Sequence, residues 1–258
     1  LGEAIRALVA ECARLVRDEG VTILVLSDRA VAPGRLPIHS LLATGAVHHH
    51  LIAEGLRCDA NIVVETASAR DSHQIACLLG FGATAVYPYL AYSVLEELLR
   101  SGELLGEPSA CYKRYRRGIN KGLLKIMSKM GISAVSSYRG AQLFEAVGLA
   151  SEVIDLAFRG VASRIEGARF VDLQEDQAAL ARIARSRRKP IGPGGLLKYV
   201  HGQEYHAFNP DVVTTLQQAV ASGDYAVYRR YAALVNERPV ASLRDLLQRH
   251  VEGRLETE

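Results

Sequence analysis

Apolar residues recur along this chain in two spacings, and the alternation between them predicts strands followed by helices. Residues 2–18 carry apolar side chains every three or four positions, which is typical of an amphipathic helix. Val21–Leu26 is a continuous apolar run, and we expect it to form a buried parallel strand. The pattern then repeats. We predict further helices over 38–54, 74–79 and 89–99, and further strands over 61–64, 83–86 and near Ile132.

The order of these elements predicts an α/β fold. Strands alternate with helices, and the connections are long enough for right-handed helical crossovers between parallel strands. We therefore predict a parallel sheet or a partial (β/α) barrel with helices on both faces, followed by a small helical extension. Four strands are too few for a closed eight-stranded barrel.

The chain changes character near Ser186. Residues 185–189 are basic apart from that serine, and the PIGPGG sequence that follows breaks regular structure. We predict an α/β domain over 1–186, a linker over 187–200 and a helical region over 201–258. In the last region Asn209-Pro210 opens a helix, and further helices are expected around 225–236 and 242–250. Limited proteolysis should cut between Arg182 and Lys198 and leave a stable N-terminal fragment.

Charge is distributed unevenly, although the net charge is only +3. Residues 111–200 hold 17 basic and 7 acidic side chains, whereas residues 1–110 hold 8 basic and 13 acidic ones. The predicted basic helix over 113–129 carries cations at four-residue spacing: Lys113, Arg117, Lys121, Lys125 and Lys129. We interpret this row as a solvated or interdomain face, with an anion- or nucleic-acid-binding module as the alternative.

The patterns of secreted and membrane proteins are missing from the sequence. No apolar run approaches the roughly 18 residues that a membrane helix needs, and the N-terminal segment is amphipathic rather than signal-like. Four cysteines occur without CxxC spacing, in apolar or helical contexts: Cys12, Cys58, Cys77 and Cys111. We interpret them as reduced core cysteines of a cytoplasmic protein.

Polar side chains follow the first two predicted strands, where parallel sheets build their sites. Asp28, Glu65 and His73 could serve a stand-alone α/β enzyme as acid and base. The alternative is that these residues cap helices and hold loops or a domain interface, with Asp71 as a helix N-cap. The adjacent histidines 48–50 point about 100° apart on a helix and cannot converge on one metal ion, so we interpret them as a surface cluster.

The most specific stretch of the chain is Gly118–Leu149, GINKGLLKIMSKMGISAVSSYRGAQLFEAVGL. Its pattern predicts a helix ended by Gly131, a strand over Ile132–Val135, and a second helix from Ser136. The first helix presents an apolar stripe made of Ile119, Leu123, Ile126, Met127 and Met130. The second helix presents Leu143, Phe144 and Val147.

This stretch closely resembles the central domain of the glutamate synthase large (alpha) subunit. Glu65–Tyr92, with the run HQIACLLGFGATAVYPYLA, is similar to a second signature of that family, and Gly202–Leu247 resembles the lead-in to its FMN-binding synthase domain. The large subunit of this family is several times longer than this chain. The resemblance therefore implies a glutaminase domain before Leu1 and a flavin barrel with iron–sulfur cysteines after Glu258.

The resemblance also implies a role. Members of the family convert glutamine, 2-oxoglutarate and a reductant into two glutamates, using FMN and an iron–sulfur cluster. We expect this segment to bind no cofactor and to be inactive alone. Its expected role is to connect the glutaminase and FMN synthase domains and to help wall the ammonia path. The expected partners are those two domains and a small electron-transfer subunit or ferredoxin, with no nucleic acid or membrane.

No residue of the segment is carried over as catalytic or metal-binding. The carboxyl ends of parallel strands meet on one side of a sheet, so we expect Ser27 and the residues that follow the first two strands to converge there. The candidate interdomain or channel face consists of Asp28, Arg29, Glu65, Ser68, Arg70, His73, Tyr138 and Arg139.

Overall fold

The structure, a computed structural model, describes residues 1–186 and 197–246 of the chain. The chain divides into two compact units, Leu1–Ser186 and Arg187–Glu258. The first unit contains α1 (Gly2–Glu19), β1 (Ile23–Ser27), α2 (Ser40–Ala53), β2 (Asn61–Glu65), α3 (Ser72–Gly80), β3 (Ala85–Tyr87), α4 (Tyr89–Arg100), α5 (Pro108–Lys129), α6 (Val135–Tyr138), β4 (Glu145–Leu149), α7 (Ser151–Ala157), β5 (Ala162–Ala168) and α8 (Phe170–Arg185). The second contains α9 (Pro210–Ser222), α10 (Tyr225–Asn236) and a 3₁₀ turn, Leu243–Leu246.

A three-stranded parallel sheet, in the order β1-β2-β3, forms the centre of the first unit. Helices α2 and α3 make the crossovers, as the alternating pattern predicts. The inward side chains of the strands, Leu24, Ile62 and Val64, are buried in one core together with residues of α1, α2 and α7. The predicted α/β class with parallel strands flanked by helices is confirmed.

The first strand is not buried on both faces. Leu24 is buried, but Ile23 and Val25 each keep 59% of their surface exposed. The expectation of a continuously buried strand over Val21–Leu26 is therefore wrong. Within the described chain, the helices named above cover only the face that Leu24 presents, and the opposite face of β1 is left open.

The turn after α5 differs from the predicted fourth strand. Gly131 has φ +71° and ends the helix as expected, but Ile132 donates its N–H to the Met127 carbonyl at 3.0 Å and Gly131 donates to Ser128 at 3.1 Å. These two bonds form a Schellman cap, in which the apolar residue after the glycine packs back on the helix. Ile132 accordingly packs beside Met127, so its apolar character serves the cap and not a strand.

The second predicted helix of this passage is limited to the short α6, Val135–Tyr138, and most of its predicted apolar side leads into a strand instead. Residues 145–149 form β4, which pairs in parallel with β5 in a separate two-stranded sheet. Phe144 and Ala146 pack on the core while Val147 is exposed. That period-two alternation is a strand pattern, and it outweighs the helical spacing of Leu143, Phe144 and Val147.

The remaining predicted elements agree with the structure within a few residues. The stripe on α5 packs inward at Leu123, Ile126 and Met127, but Met130 lies past the helix end and is exposed. Asp71 caps α3 by accepting from Gln74 N at 2.8 Å, as predicted. No element was predicted over residues 150–185, where the structure has α7, β5 and α8.

In the described part of the second unit, helices α9 and α10 pack against each other. Asn209 caps α9 by accepting from Val212 N at 3.1 Å, and Pro210 is its first residue, as predicted. Arg238 pairs with Asp245, which also accepts from Ala241 N and Ser242 N. Most of the predicted linker over 187–200 lies outside the described ranges, since these omit residues 187–196. Of the helix predicted over 242–250, residues 247–250 also lie outside them, and the described part contains the 3₁₀ turn Leu243–Leu246.

Candidate functional site

The carboxyl ends of the central strands bring several of the predicted residues together. Ser27, Glu65 and Tyr87 are paired across the three strands. Glu65 accepts one hydrogen bond from Ser27 Oγ at 2.5 Å and another from Arg29 Nε at 2.6 Å. The Arg29 guanidinium also lies 4.1 Å from the ring centroid of Tyr89, within the range of a cation–π contact. This edge is therefore a single network.

Asp28 holds the loop that follows β2. Its carboxylate accepts from Thr66 Oγ1 at 2.6 Å and from Ala67 N at 3.0 Å. Ser68 Oγ lies 2.9 Å from Thr66 Oγ1 and 2.9 Å from Ser40 Oγ, which extends the network to the start of α2. These hydrogen bonds join the end of β1, the loop after β2 and the start of α2, so the arrangement stabilises loops.

The acid–base chemistry of the stand-alone enzyme alternative is poorly matched by these contacts. The hydroxyl of Ser27 first, and then the Arg29 guanidinium, lower the pKa of Glu65, which keeps it an engaged carboxylate near neutral pH. His73 lies in the first turn of α3, exposed, with Nε2 3.7 Å from Cys77 Sγ. In the described part of the chain no hydrogen bond or ion pair joins His73 to Asp28 or Glu65.

Arg70 lies beside the same edge, where its carbonyl accepts from Tyr115 Oη at 2.8 Å. Tyr138 and Arg139 lie elsewhere. Tyr138 is 2% exposed and packs beside Ala76 and Met127, and the next residue, Gly140, donates to the Gly80 carbonyl at the end of α3. The eight candidate residues therefore do not share one surface, since the last two belong to the opposite end of α3.

Sequence reasoning missed two aromatic residues of the edge, Tyr87 and Tyr89. Tyr87 ends the third strand and Tyr89 follows it, so the rule that selected residues at the ends of the first two strands applies to them as well. Burial first, and then the Asp28 carboxylate, raise the pKa of Tyr89 to about 12. Tyr87 stacks on Tyr92 at 5.8 Å between ring centroids, which links the edge to α4.

A cleft of about 380 Å³ opens beside these strand ends. Its walls are mainly apolar and come from β1, β2 and the loop before α2, including Val25, Leu36 and Pro37. Ser27, Asp28 and Glu65 lie at its polar side. Because their hydrogen bonds are directed at protein partners, the cleft offers mainly apolar contact.

The row of cations on α5 is exposed along its whole length. Lys113, Arg117 and Lys121 are exposed, as are the two lysines that continue the row. Among the described residues none of these cations forms an ion pair. The face is therefore exposed in this chain, which both interpretations allow.

Two sequence interpretations need correction. His48 is only 6% exposed, so the three histidines are not a surface cluster. The first of them is buried because α2 packs against α1, α3 and α7. Cys58 is exposed and does not belong to the core, and all four cysteines are free thiols.

Over residues 1–186 and 197–246, no three His, Cys, Asp or Glu side chains are grouped so that they could hold a metal ion. Across the same residues, no helix has the length and apolar character to cross a bilayer.

Comparison with known proteins gives the family. A family model described as the glutamate synthase central domain matches residues 1–150. The chain is 40% identical over 231 residues to the NADPH glutamate synthase large chain of Bacillus subtilis, 41% over 263 residues to the ferredoxin-dependent glutamate synthase of Pyropia yezoensis, and 40% over 252 residues to the NADPH large chain of Azospirillum brasilense.

These alignments cover 89%, 95% and 96% of this chain but only 15%, 17% and 16% of the respective relatives. The chain thus spans about one-sixth of the length of the proteins it matches. The resemblance carried by Gly118–Leu149 is confirmed. The chain belongs to the glutamate synthase family, and its first 150 residues correspond to the central domain of that family.

Proposed function

We propose that this chain is a structural, interdomain segment of a glutamate synthase large chain. In this proposal it connects a glutaminase domain to an FMN synthase domain and helps to wall the ammonia path between them. The enzyme as a whole would convert glutamine, 2-oxoglutarate and a reductant into two glutamates. Residues 1–186 would be the central domain, 187–200 a linker and 201–258 the lead-in to the synthase domain.

The observation that carries the proposal is the open face of the central sheet. Ile23, Val25, Val63 and Ala85 share that face, as the strand register requires, and Tyr87 ends it. Parallel sheets are almost always covered on both faces. An apolar, uncovered face of this kind marks an interaction surface, and we assign its cover to another domain of the same polypeptide.

The length of the relatives supports that occupant. Some five-sixths of each relative lies outside the aligned region, so ample polypeptide exists in this family to cover the face. The relatives include both NADPH and ferredoxin-dependent enzymes with nearly equal identity to this chain. We infer that the segment serves both types and that the electron donor, small subunit or ferredoxin, is chosen elsewhere.

The cofactors are assigned to other parts of the enzyme. The four cysteines come from separate elements or loops and do not gather, which does not fit the thiolate set of an iron–sulfur cluster. We therefore propose that FMN and the cluster bind outside these residues. A cytoplasmic location also stays a prediction.

A chimera tests the proposal. The chain would replace the corresponding segment of the Bacillus subtilis large chain, and glutamine-dependent glutamate formation would be measured. We expect activity from the chimera, and a loss of at least tenfold when Val25→Asp is introduced, because the carboxylate would be buried in the domain contact.

The matched control is Leu105→Asp, which places the same charge at an apolar residue that is 81% exposed in the polar loop before α5. The control should keep the activity of the chimera. In the chain alone, both variants should melt within a few degrees of the parent. Equal activity of the Val25 and Leu105 chimeras would refute the assignment of the sheet face.

A further inference from the structure

A cluster of nitrogen donors lies at the amino edge of the central sheet. Arg57 Nε donates to His48 Nδ1 at 2.8 Å, and its two terminal nitrogens donate to the carbonyls of Ala60 at 2.7 Å and Gly82 at 2.8 Å. Ala60 precedes β2, and Gly82 lies in the turn before β3. The three bonds therefore fix the guanidinium in one orientation between two loops.

Arg139 joins this cluster from the segment after α6. Gly140 N donates to the Gly80 carbonyl at 2.8 Å, and a Cβ on Gly140 would lie 3.7 Å from His48 Nε2. Arg139 Nε is buried and has no hydrogen-bond partner among the described residues. Burial is the largest cause that lowers the pKa of Arg57, and the charge of Arg139 is the second. The two guanidinium groups therefore repel each other.

No carboxylate balances this charge in the described ranges. None of the ion pairs there involves Arg57 or Arg139. His48 cannot balance it either, because it accepts at Nδ1 and so carries its proton on Nε2. Partly buried like charges are costly unless an opposite charge or hydrogen bonds compensate them.

We infer that His48, Arg57 and Arg139 form a binding site for a small oxyanion, either a carboxylate or a phosphate. Arg57 uses one N–H on each of its three nitrogens, so two of its five donors remain free. Arg139 Nε–H and His48 Nε2–H add two more. Arginine donors arranged as planar forks match the oxygens of both anions.

Anion titration of the 258-residue chain tests the site. The melting temperature would be followed with inorganic phosphate or malonate, with chloride balancing the ionic strength. We expect a saturable rise of about 5–10 °C at a hundredfold excess over the Kd for at least one anion. A rise with phosphate alone assigns phosphate chemistry to the site, and a rise with malonate assigns carboxylate chemistry.

Arg139→Gln should abolish the rise, because it removes the charge that has no protein partner. The control Arg116→Gln removes an equal charge from an exposed position on α5 and should keep the full rise. Equal responses of the two variants, or responses of the unmodified chain no larger than that to chloride, would overturn the inference.

If Arg139→Gln does not fold, the unmodified chain still decides the question. Phosphate binding would then be followed by ³¹P line broadening, and malonate binding by line broadening of its methylene ¹H signal. Saturable broadening of at least one of the two anions supports the site, and its absence for both contradicts it.

Discussion

At the residue scale, two buried polar side chains hold the loops at opposite edges of the central sheet. Thr66 is fully buried and donates to Asp28 at the carboxyl edge. His48 accepts from Arg57 at the amino edge. The two hydrogen bonds join residues that are 38 and 9 positions apart and lie in different elements or loops, so the periodicity within one element cannot reveal the partners. Sequence reasoning could place Asp28 at a strand end but could not foresee that its carboxylate is used to hold Ala67 N.

His48 should make stability depend on pH. Burial first, and then the Arg57 charge, lower the pKa of His48 to about 4. The unfolded chain binds the proton near pH 6.5, so the contribution of the neutral residue is complete above that pH and is lost as the pH falls towards 4. A fall of the pKa from 6.5 to about 4 corresponds to about 3 kcal/mol.

The measurement is the difference in melting temperature between the parent and His48→Gln at pH 7 and at pH 4.5. Other titrating groups are common to both proteins and cancel. The parent should be the more stable protein at pH 7, and the difference should shrink on acidification. A difference that does not change with pH would mean that His48 is not held neutral.

Met127 and Lys121 lie on different faces of α5, one buried and one exposed, and should differ sharply in their tolerance of substitution. Met127 is 5% exposed and packs against Ala76 and Tyr138, whereas Lys121 is exposed. Met127→Asp buries a carboxylate without a partner, and we expect a loss of about 3–5 kcal/mol. Lys121→Ala should change stability by less than about 0.5 kcal/mol. Thermal melts decide, and similar midpoints would show that the faces of the helix are misassigned.

At the element scale, the helices and strands whose sequences show a single clear hydrophobic period were predicted well. Helices α1, α3 and α4 and strands β2 and β3 follow directly from spacing and caps. The passage after α5 was predicted less well. Ile132 could belong either to a strand or to a helix cap, and only the hydrogen bond from its N–H to the Met127 carbonyl shows that it belongs to the cap. For β4, a five-residue run fits both periods, and pairing with β5 decides between them.

The crossing of α2 and α7 depends on one glycine. A Cβ on Gly45 would lie 2.1 Å from the Ala157 carbonyl oxygen, whereas a Cβ on Gly118 in α5 would meet nothing within 4 Å. Gly45→Ala must therefore separate the helices, and we expect a loss of about 2–4 kcal/mol. Gly118→Ala should be neutral or should stabilise the chain by about 0.5–1 kcal/mol through helix propensity. Urea unfolding compares the two, and a loss at Gly118 as large as at Gly45 would argue against this crossing.

At the scale of the whole molecule, the sequence predicted the α/β class and the family but not which side of the sheet stays open. The residues of β1 are apolar on both faces, so the pattern reads as a strand covered on both sides. The structure supplies helices for one face only. This mismatch between an apolar sequence and an exposed face is what a contact with another domain explains.

Hydroxyl-radical footprinting of the open sheet face tests that explanation most directly. Labelling of Ile23, Val25 and Tyr87 would be compared between the 258-residue chain and the chimera with the Bacillus subtilis large chain, with Leu105 as the exposed reference. We expect labelling of the sheet face to fall several-fold in the chimera while that of Leu105 is retained. Equal labelling of the sheet face in both proteins would contradict it.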